Sequence, residues 1–484
     1  MTFYDNKGTN PDEAINVVDG KVFNVVQIAD SNGNLVDPAT NEIVVTGDLY
    51  VNSEVKVNNT TLEPVPVNVL SAAPINLSGG IADAFGRMRV SEPFTLGDYK
   101  HLYGIDSNFT DYLINGGSVQ HLPNQACARL SVTTSTGSRV VHQTKLYHHY
   151  MPGKSQLVKS TFNFWGVDTG IRKRTGYFDD NNGIFFEMTG TGELAFNIRT
   201  YVSGSVDDVT NRVVQSSWNK DTCDGNGPSG FNLLKNKTHI FFTDFQWLGV
   251  GRVRCGFVHN GEFIVAHEYY NDNVKDTVYM SNPNLPIRCE IENTGGGGNS
   301  YMDQICSTVV SEGGYVESGT DWAVISPSLR TLTANATLPV LAIRLKSSYK
   351  TYANRMIARL SHVAVFSSSE NIKYQVVKLN NAAALTTASA WVLVDDDSGV
   401  EYNSGATAYS GGDVIDAGWA PASSQNVNKP FANVSPGSPP SAAKKNFIVQ
   451  NYGSTDSEIY AVVATNLTAS NTSVGVALQW REIF

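Results

Sequence analysis

With 484 residues the chain exceeds the length at which one hydrophobic core usually stops growing, so several domains are expected, each able to bury a core of its own. Net charge is −10, with 35 Lys and Arg against 45 Asp and Glu, which excludes the basic footprint of a nucleic-acid binder. The polar, acidic start MTFYDNKGTNPDEAINVVDG lacks the basic and apolar regions of a signal peptide, and no stretch approaches the ~20 apolar residues of a membrane span, so neither a cleaved leader nor a transmembrane helix is expected.

Charged residues are 17% of the chain while Gly, Ser, Thr and Asn are abundant, a mixture that suits short strands and tight turns. Residues 15 to 70 alternate apolar and polar positions in VFNVVQIAD, EIVVTGDLYV and EVKVNN, which predicts a small β module. The three prolines of EPVPVNVLSAAPINLSGG then predict an extended arm, because each restricts itself and its predecessor. Residues 1–80 are therefore read as an anchoring module and arm. Residues 81–369 are denser in aromatics and predict a jelly-roll or concanavalin-like β-sandwich, with strands at STFNFWGV, GIFFEM, LAFNIRTYV, HIFFTDFQWLG, VLAIRLK and MIARLSHVAVF. Within it VGRVRCGFVHNGEFIVAHEYY predicts a hairpin, since Asn260 and Gly261 adopt positive φ readily. After Ser367, Ser368 and Ser369 the composition shifts, and residues 370–484 predict a C-terminal β-sandwich interrupted by the loop APASSQNVNKPFANVSPGSPPSAAKK. The fold class is all-β throughout.

Motifs that carry chemistry are weak. Gly153, Lys154 and Ser155 invite a phosphate-loop reading, but the position five before Gly153 is His148 rather than glycine, so a turn is expected. His148 and His149 are adjacent and on a strand would point to opposite faces, which disfavours a shared metal. Acidic turns at Asp179–Gly183, Asp224–Gly227 and Asp395–Asp397 offer calcium some oxygen ligands, yet none has a complete binding-loop spacing, and Asp and Asn favour such turns on conformational grounds alone. Arg172, Lys173 and Arg174 read as a solvated strand edge or turn rather than a phosphate-binding patch. Glycan hydrolysis would require two carboxylates in a cleft, and Glu187, Glu268, Glu290 and Glu292 are candidates that no spacing singles out. Five widely spaced cysteines (Cys127, Cys223, Cys255, Cys289, Cys306) show no C-x-x-C pair and are expected reduced and mostly buried. No catalytic, cofactor-binding or metal residue is assigned, and calcium remains the one cofactor with any pattern behind it. Of the aromatic residues, Tyr147, His148, Trp165, Tyr269 and Tyr270 mark stretches expected at interfaces or against sugars.

At residues 81–104, IADAFGRMRVSEPFTLGDYKHLYG, the chain resembles the opening of a domain in virion structural proteins of tailed bacteriophages, notably those of marine cyanobacteria. The likeness continues at VVHQTKLYHHYMPGKSQLV, RKRTGYFDDNNGIFFEM, QSSWNKDTCDGNGPSGFNL, WLGVGRVRCGFVHNGEFIVAHEY, NPNLPIRCEIENTG and QICSTVVSEGG, in order through about residue 315. The resemblance implies a β-sandwich protein of the phage particle and supplies no catalytic residue. It implies a non-enzymatic exterior component of tail-fibre, adaptor or baseplate type, with other copies of itself, in a trimer or other symmetric oligomer, and other virion proteins as partners. A capsid decoration protein or head fibre is the first alternative, and a carbohydrate-binding protein for host surface polysaccharide the second. Assembly in the host cytoplasm and exposure on the particle exterior follow from the same implication.

Overall fold

The structure, a computed structural model, describes residues 92–430 and 447–484, with only the backbone of Ser423–Pro430, together with four short N-terminal strands. Those strands form two antiparallel pairs, Phe3–Tyr4 with Gln27–Ile28 and Ile15–Val18 with Lys21–Asn24. They belong to a first compact unit, Met1–Met88, and everything below concerns the second, Arg89–Phe484. The strands expected in EIVVTGDLYV and EVKVNN and the proline-rich arm lie outside the described residues.

The second unit is all-β, in the jelly-roll or concanavalin-like class, and among the described residues its only helices are two short 3₁₀ turns. Two antiparallel sheets make a first sandwich. One runs, edge to edge, Glu262–Tyr269, Val253–His259, Thr238–Phe245, Gln156–Asn163, Ser300–Ser311, Cys127–Val132 and Ser118–Leu122, with Phe94–Lys100 also paired to Ser300–Ser311. The other runs Arg212–Val214, Leu194–Arg199, Gly183–Met188, Ile171–Phe178, Ile287–Asn293, Arg139–Thr144 and Phe109–Ile114. Strand alternation sends Ile184, Phe186 and Met188 inward from one strand and Leu194, Phe196 and Ile198 from the next, onto Phe241 and Phe257 of the facing sheet. Phe196 stacks on Trp218 at 4.2 Å, and each ring in this cluster contributes about 1.5–3 kcal/mol by burial. The predicted hairpin is present, with φ of 50° at Asn260 and 85° at Gly261, and it pairs His259 with Glu262. No cysteine forms a disulfide, and all but Cys306 are buried.

The second sandwich begins earlier than the sequence suggests. Thr320–Ile325 and Ile357–Ser367, expected in the central sandwich, instead pair with Thr472–Ile483, and Thr337–Leu345 pairs with Ile459–Asn466. The division therefore falls in the link after Ser311, and strands on either side of the serine triplet share one core that includes Val340, Leu360, Val376, Val462 and Trp480. The composition shift after the triplet suggested a boundary, but its serines bond into the second sandwich: Ser367 Oγ donates to the Glu370 carbonyl at 2.6 Å, and the Ser369 amide donates to Thr472 Oγ1 at 3.2 Å. Within the expected long loop after Ala420, Ser423–Pro430 instead pairs with Ile357–Ser367 as an edge strand, and the rest of that stretch, 431–446, lies outside the described residues. The edge strand's sequence SSQNVNKP has little intrinsic strand preference, so register with the neighbour decides its conformation.

The two sandwiches pack on each other. Leu146 of the first meets Ile357, Phe447, Val449 and Ile483 of the second in a buried cluster. Around it Tyr112 stacks on Tyr452 at 4.5 Å, the Tyr452 hydroxyl donates to Asp180 at 2.5 Å, and Arg355 lies 4.7 Å over the Tyr147 ring.

Candidate functional site

The chain leaves strand Gln156–Asn163 through a loop, residues 164–168, at one end of the first sandwich. Trp165 stands there with φ of 57°, a left-handed conformation that bulky residues seldom adopt, and its side chain is 43% exposed. Three sets of bonds hold it. The Trp165 amide donates to Asn163 Oδ1 at 2.7 Å, and the indole N–H donates to Asp303 Oδ2 at 2.6 Å. Asp303, 4% exposed, is itself fixed by Arg129, which donates from Nε at 2.7 Å and from Nη2 at 2.8 Å. The pairing is dictated by register, since Asp303 lies opposite Arg129 on neighbouring strands.

The third set comes from below. Lys173 sits in Ile171–Phe178, the middle strand of the facing sheet, on the same side as the core residues Ile171 and Tyr177. Its fully buried ammonium donates to the carbonyls of Phe164 (2.6 Å) and Gly166 (3.3 Å) and to Asp168 Oδ2 (2.7 Å). Asp168 also accepts from Ser300 Oγ at 2.5 Å. Burial pushes the Lys173 ammonium below its ordinary pKa, and the bond and charge of Asp168 partly restore it. A buried cation is costly unless paired and hydrogen-bonded, and here all its bonds converge on one surface loop. Against this clamped indole stands Tyr301, 38% exposed, at 5.7 Å between centroids and tilted by 57°, with the Arg129 guanidinium 4.1 Å over its ring. The result is a partly exposed aromatic corner held together by a carboxylate on the indole nitrogen and a guanidinium over the rings.

The basic run at 172–174 is thus corrected: it is a central strand, with Lys173 facing inward and Arg174 only 3% exposed on the other side. Arg174 Nε contacts Glu187 at 2.6 Å and Nη1 lies 3.6 Å from Glu290, so the structure does bring these two candidate carboxylates close, with a guanidinium between them. Glu290 is also paired with Arg139 and Arg288. Burial would raise its pKa, but the three arginines outweigh burial and hold it well below the usual carboxylate range, the reverse of what a general acid needs. Glu292 pairs with Arg172 at 2.5 Å. Glu268 is elsewhere, bonded to Tyr270 and close to Lys220 (3.3 Å) and Arg252 (3.6 Å).

His148 is buried, with Nε2 2.8 Å from the Tyr99 hydroxyl and Nδ1 3.1 Å from the Leu285 carbonyl, so both ring nitrogens are engaged. His149 lies apart from it, 3.5 Å from Ser318. The acidic turns bond to themselves: Asp179 Oδ1 accepts from the amides of Asn181 and Asn182, Asp224 Oδ1 from that of Asn226 and Asp395 Oδ1 from that of Asp397. Among the described residues no three His, Cys, Asp or Glu side chains group as metal ligands. Gly153, Lys154 and Ser155 form a turn closed by the Lys154 amide donating to the Met151 carbonyl. Of the aromatic candidates, Tyr147, His148 and Tyr269 are largely buried while Trp165 and Tyr270 are exposed.

No family model matches the chain, and no curated protein matches it in sequence. Solved structures that overlap it include a protein of unknown function from Shewanella oneidensis MR-1, at 9% identity and a TM-score of 0.31, over 46% of this chain and 88% of that one. The Bacillus licheniformis beta-glucanase overlaps at 13% and 0.28, over 44% and 97%, and the potassium-bound carbohydrate recognition domain of Emp46p at 11% and 0.28, over 45% and 95%. Scores this low carry no argument about function.

Proposed function

We propose that this chain is a non-enzymatic structural protein on the exterior of a tailed-phage particle, a tail-fibre, adaptor or baseplate-type component held in a symmetric oligomer. The observation that carries the proposal is the use made of its charged side chains. Glu187, Glu290 and Glu292, which a hydrolase would set around a cleft, are locked to Arg174, Arg139 and Arg172 on neighbouring strands, to Arg212 two strands away and to Arg288 on the same strand as Glu290, tying the sheet together. A sheet whose buried charges are paired in this way holds its shape rather than offering a carboxylate to a substrate. The segments that resemble those of phage virion proteins, in the same sequence order through about residue 315, supply the setting, and the packed pair of sandwiches supplies a unit suited to display. In density-gradient fractions of phage particles, the chain should co-purify with the major virion proteins in a fixed ratio. Recovery only in the unassembled fraction refutes a particle role.

A further inference from the structure

We infer that the aromatic corner formed by Trp165, Tyr301, Arg129 and Asp303 is a saccharide-binding subsite that takes a pyranose unit of a glycan. The inference goes beyond the structural role and stands independently of where the chain sits on a particle.

Three observations lead to it. First, Trp165 occupies a left-handed backbone position that glycine or asparagine would fill with less strain, and its exposed ring adds little to the core. Strain of this kind persists where surrounding structure over-determines it, and it concentrates at ligand sites. Second, the surroundings do over-determine it: Asn163 holds the amide, Asp303 holds the indole nitrogen, and buried Lys173 holds the carbonyls on both sides of Trp165. Such preparation presents a ring in one orientation before any ligand arrives, which lowers the ordering cost of binding. Third, the corner's chemistry matches a sugar. The apolar C–H face of a pyranose needs an exposed aromatic ring, which Trp165, 43% exposed, supplies, with Tyr301 packed beside it at 5.7 Å and capped on one face by the Arg129 guanidinium. Its hydroxyls need donors and acceptors beside that face. The Tyr301 hydroxyl and Arg129 Nη1, which is not engaged by Asp303, stand there.

A protein partner fits less well. Two half-exposed rings beside an ion pair are far smaller than the ~800 Å² per side of a stable protein interface, whereas they match the footprint of one or two sugar rings.

The test uses the full chain on an array of defined neutral and acidic oligosaccharides, followed by titration of any that bind. Trp165→Gly removes the ring while relieving the backbone, so the variant should keep the wild-type unfolding midpoint and lose affinity by about tenfold or more. Trp165→Phe should retain part of the affinity, and Tyr301→Ala should weaken binding. Failure of the wild type to bind any saccharide at millimolar concentration overturns the inference, as does wild-type affinity in Trp165→Gly. If no saccharide binds and Trp165→Gly instead blocks incorporation into particles, the corner is a protein contact, the inference is overturned and the particle assignment stands.

Discussion

Acid should destabilise this protein through His148, and the size of the effect follows from its surroundings. The imidazole is buried, its Nδ1–H donating to the Leu285 carbonyl and its Nε2 accepting from the Tyr99 hydroxyl, an arrangement complete in the neutral form. Burial lowers its pKa from 6.5 to about 4, opposed only in part by the Leu285 carbonyl. Between these values the unfolded chain holds a proton that the folded chain does not, so stability falls as pH drops through that window. The full contribution is present above pH 6.5 and lost below about 4, and the gap amounts to about 3 kcal/mol at ~1.36 kcal/mol per pH unit. Urea unfolding followed by tryptophan fluorescence from neutral pH to pH 4 measures it. His148→Gln keeps a group able to meet Tyr99 but cannot titrate. The variant should start less stable and lose about 3 kcal/mol less than the wild type over the window. His101 and His267, also pushed down to about 4, add to the acid response of both proteins and cancel in the difference. Parallel pH profiles for wild type and variant refute the assignment of a neutral buried His148.

Arg174→Leu leaves Glu187 and Glu290 short of a shared partner in a buried setting and should cost about 3 kcal/mol, read as a lower urea midpoint; a neutral result would mean that the remaining arginines suffice. Lys173→Met leaves the Phe164 carbonyl and Asp168 without their buried donor and should cost about 1–3 kcal/mol, and amide exchange across Phe164–Asp168 should accelerate. Unchanged exchange there would show that the loop is held without the lysine. Trp165→Gly exchanges ~1–2 kcal/mol of left-handed strain for a lost indole bond of similar worth, so its thermal midpoint should stay close to wild type. Tyr452→Ala removes the ring stacked on Tyr112 and the hydroxyl on Asp180, and should raise protease cleavage in the link between the sandwiches.

The all-β class and the hairpin at Asn260 and Gly261 were legible because period-two alternation and a turn pair report directly on backbone geometry. The domain boundary was not. The composition shift after the serine triplet looks like a boundary, and only long-range pairing, Ile357–Ser367 with Thr472–Ile483, shows that the triplet lies inside one sandwich. Trp165 was noticed as one aromatic among several, but its partners are far away in sequence: Asp303 and Tyr301 arrive by strand register, and Lys173 by crossing the sandwich. The run Arg172, Lys173 and Arg174 carried a usable signal, since alternation with Ile171, Thr175 and Tyr177 places Lys173 on the inner face. Its charge alone pointed to solvent.

Reconstruction of the intact particle by electron cryo-microscopy tests the central claim most directly. The paired sandwiches of residues 89–484 should be found in density outside the capsid shell, on the tail or baseplate and repeated by its symmetry, with the Trp165 corner facing solvent. Density for the pair at capsid lattice positions would make this a decoration protein, and its absence from the particle would contradict the virion role altogether.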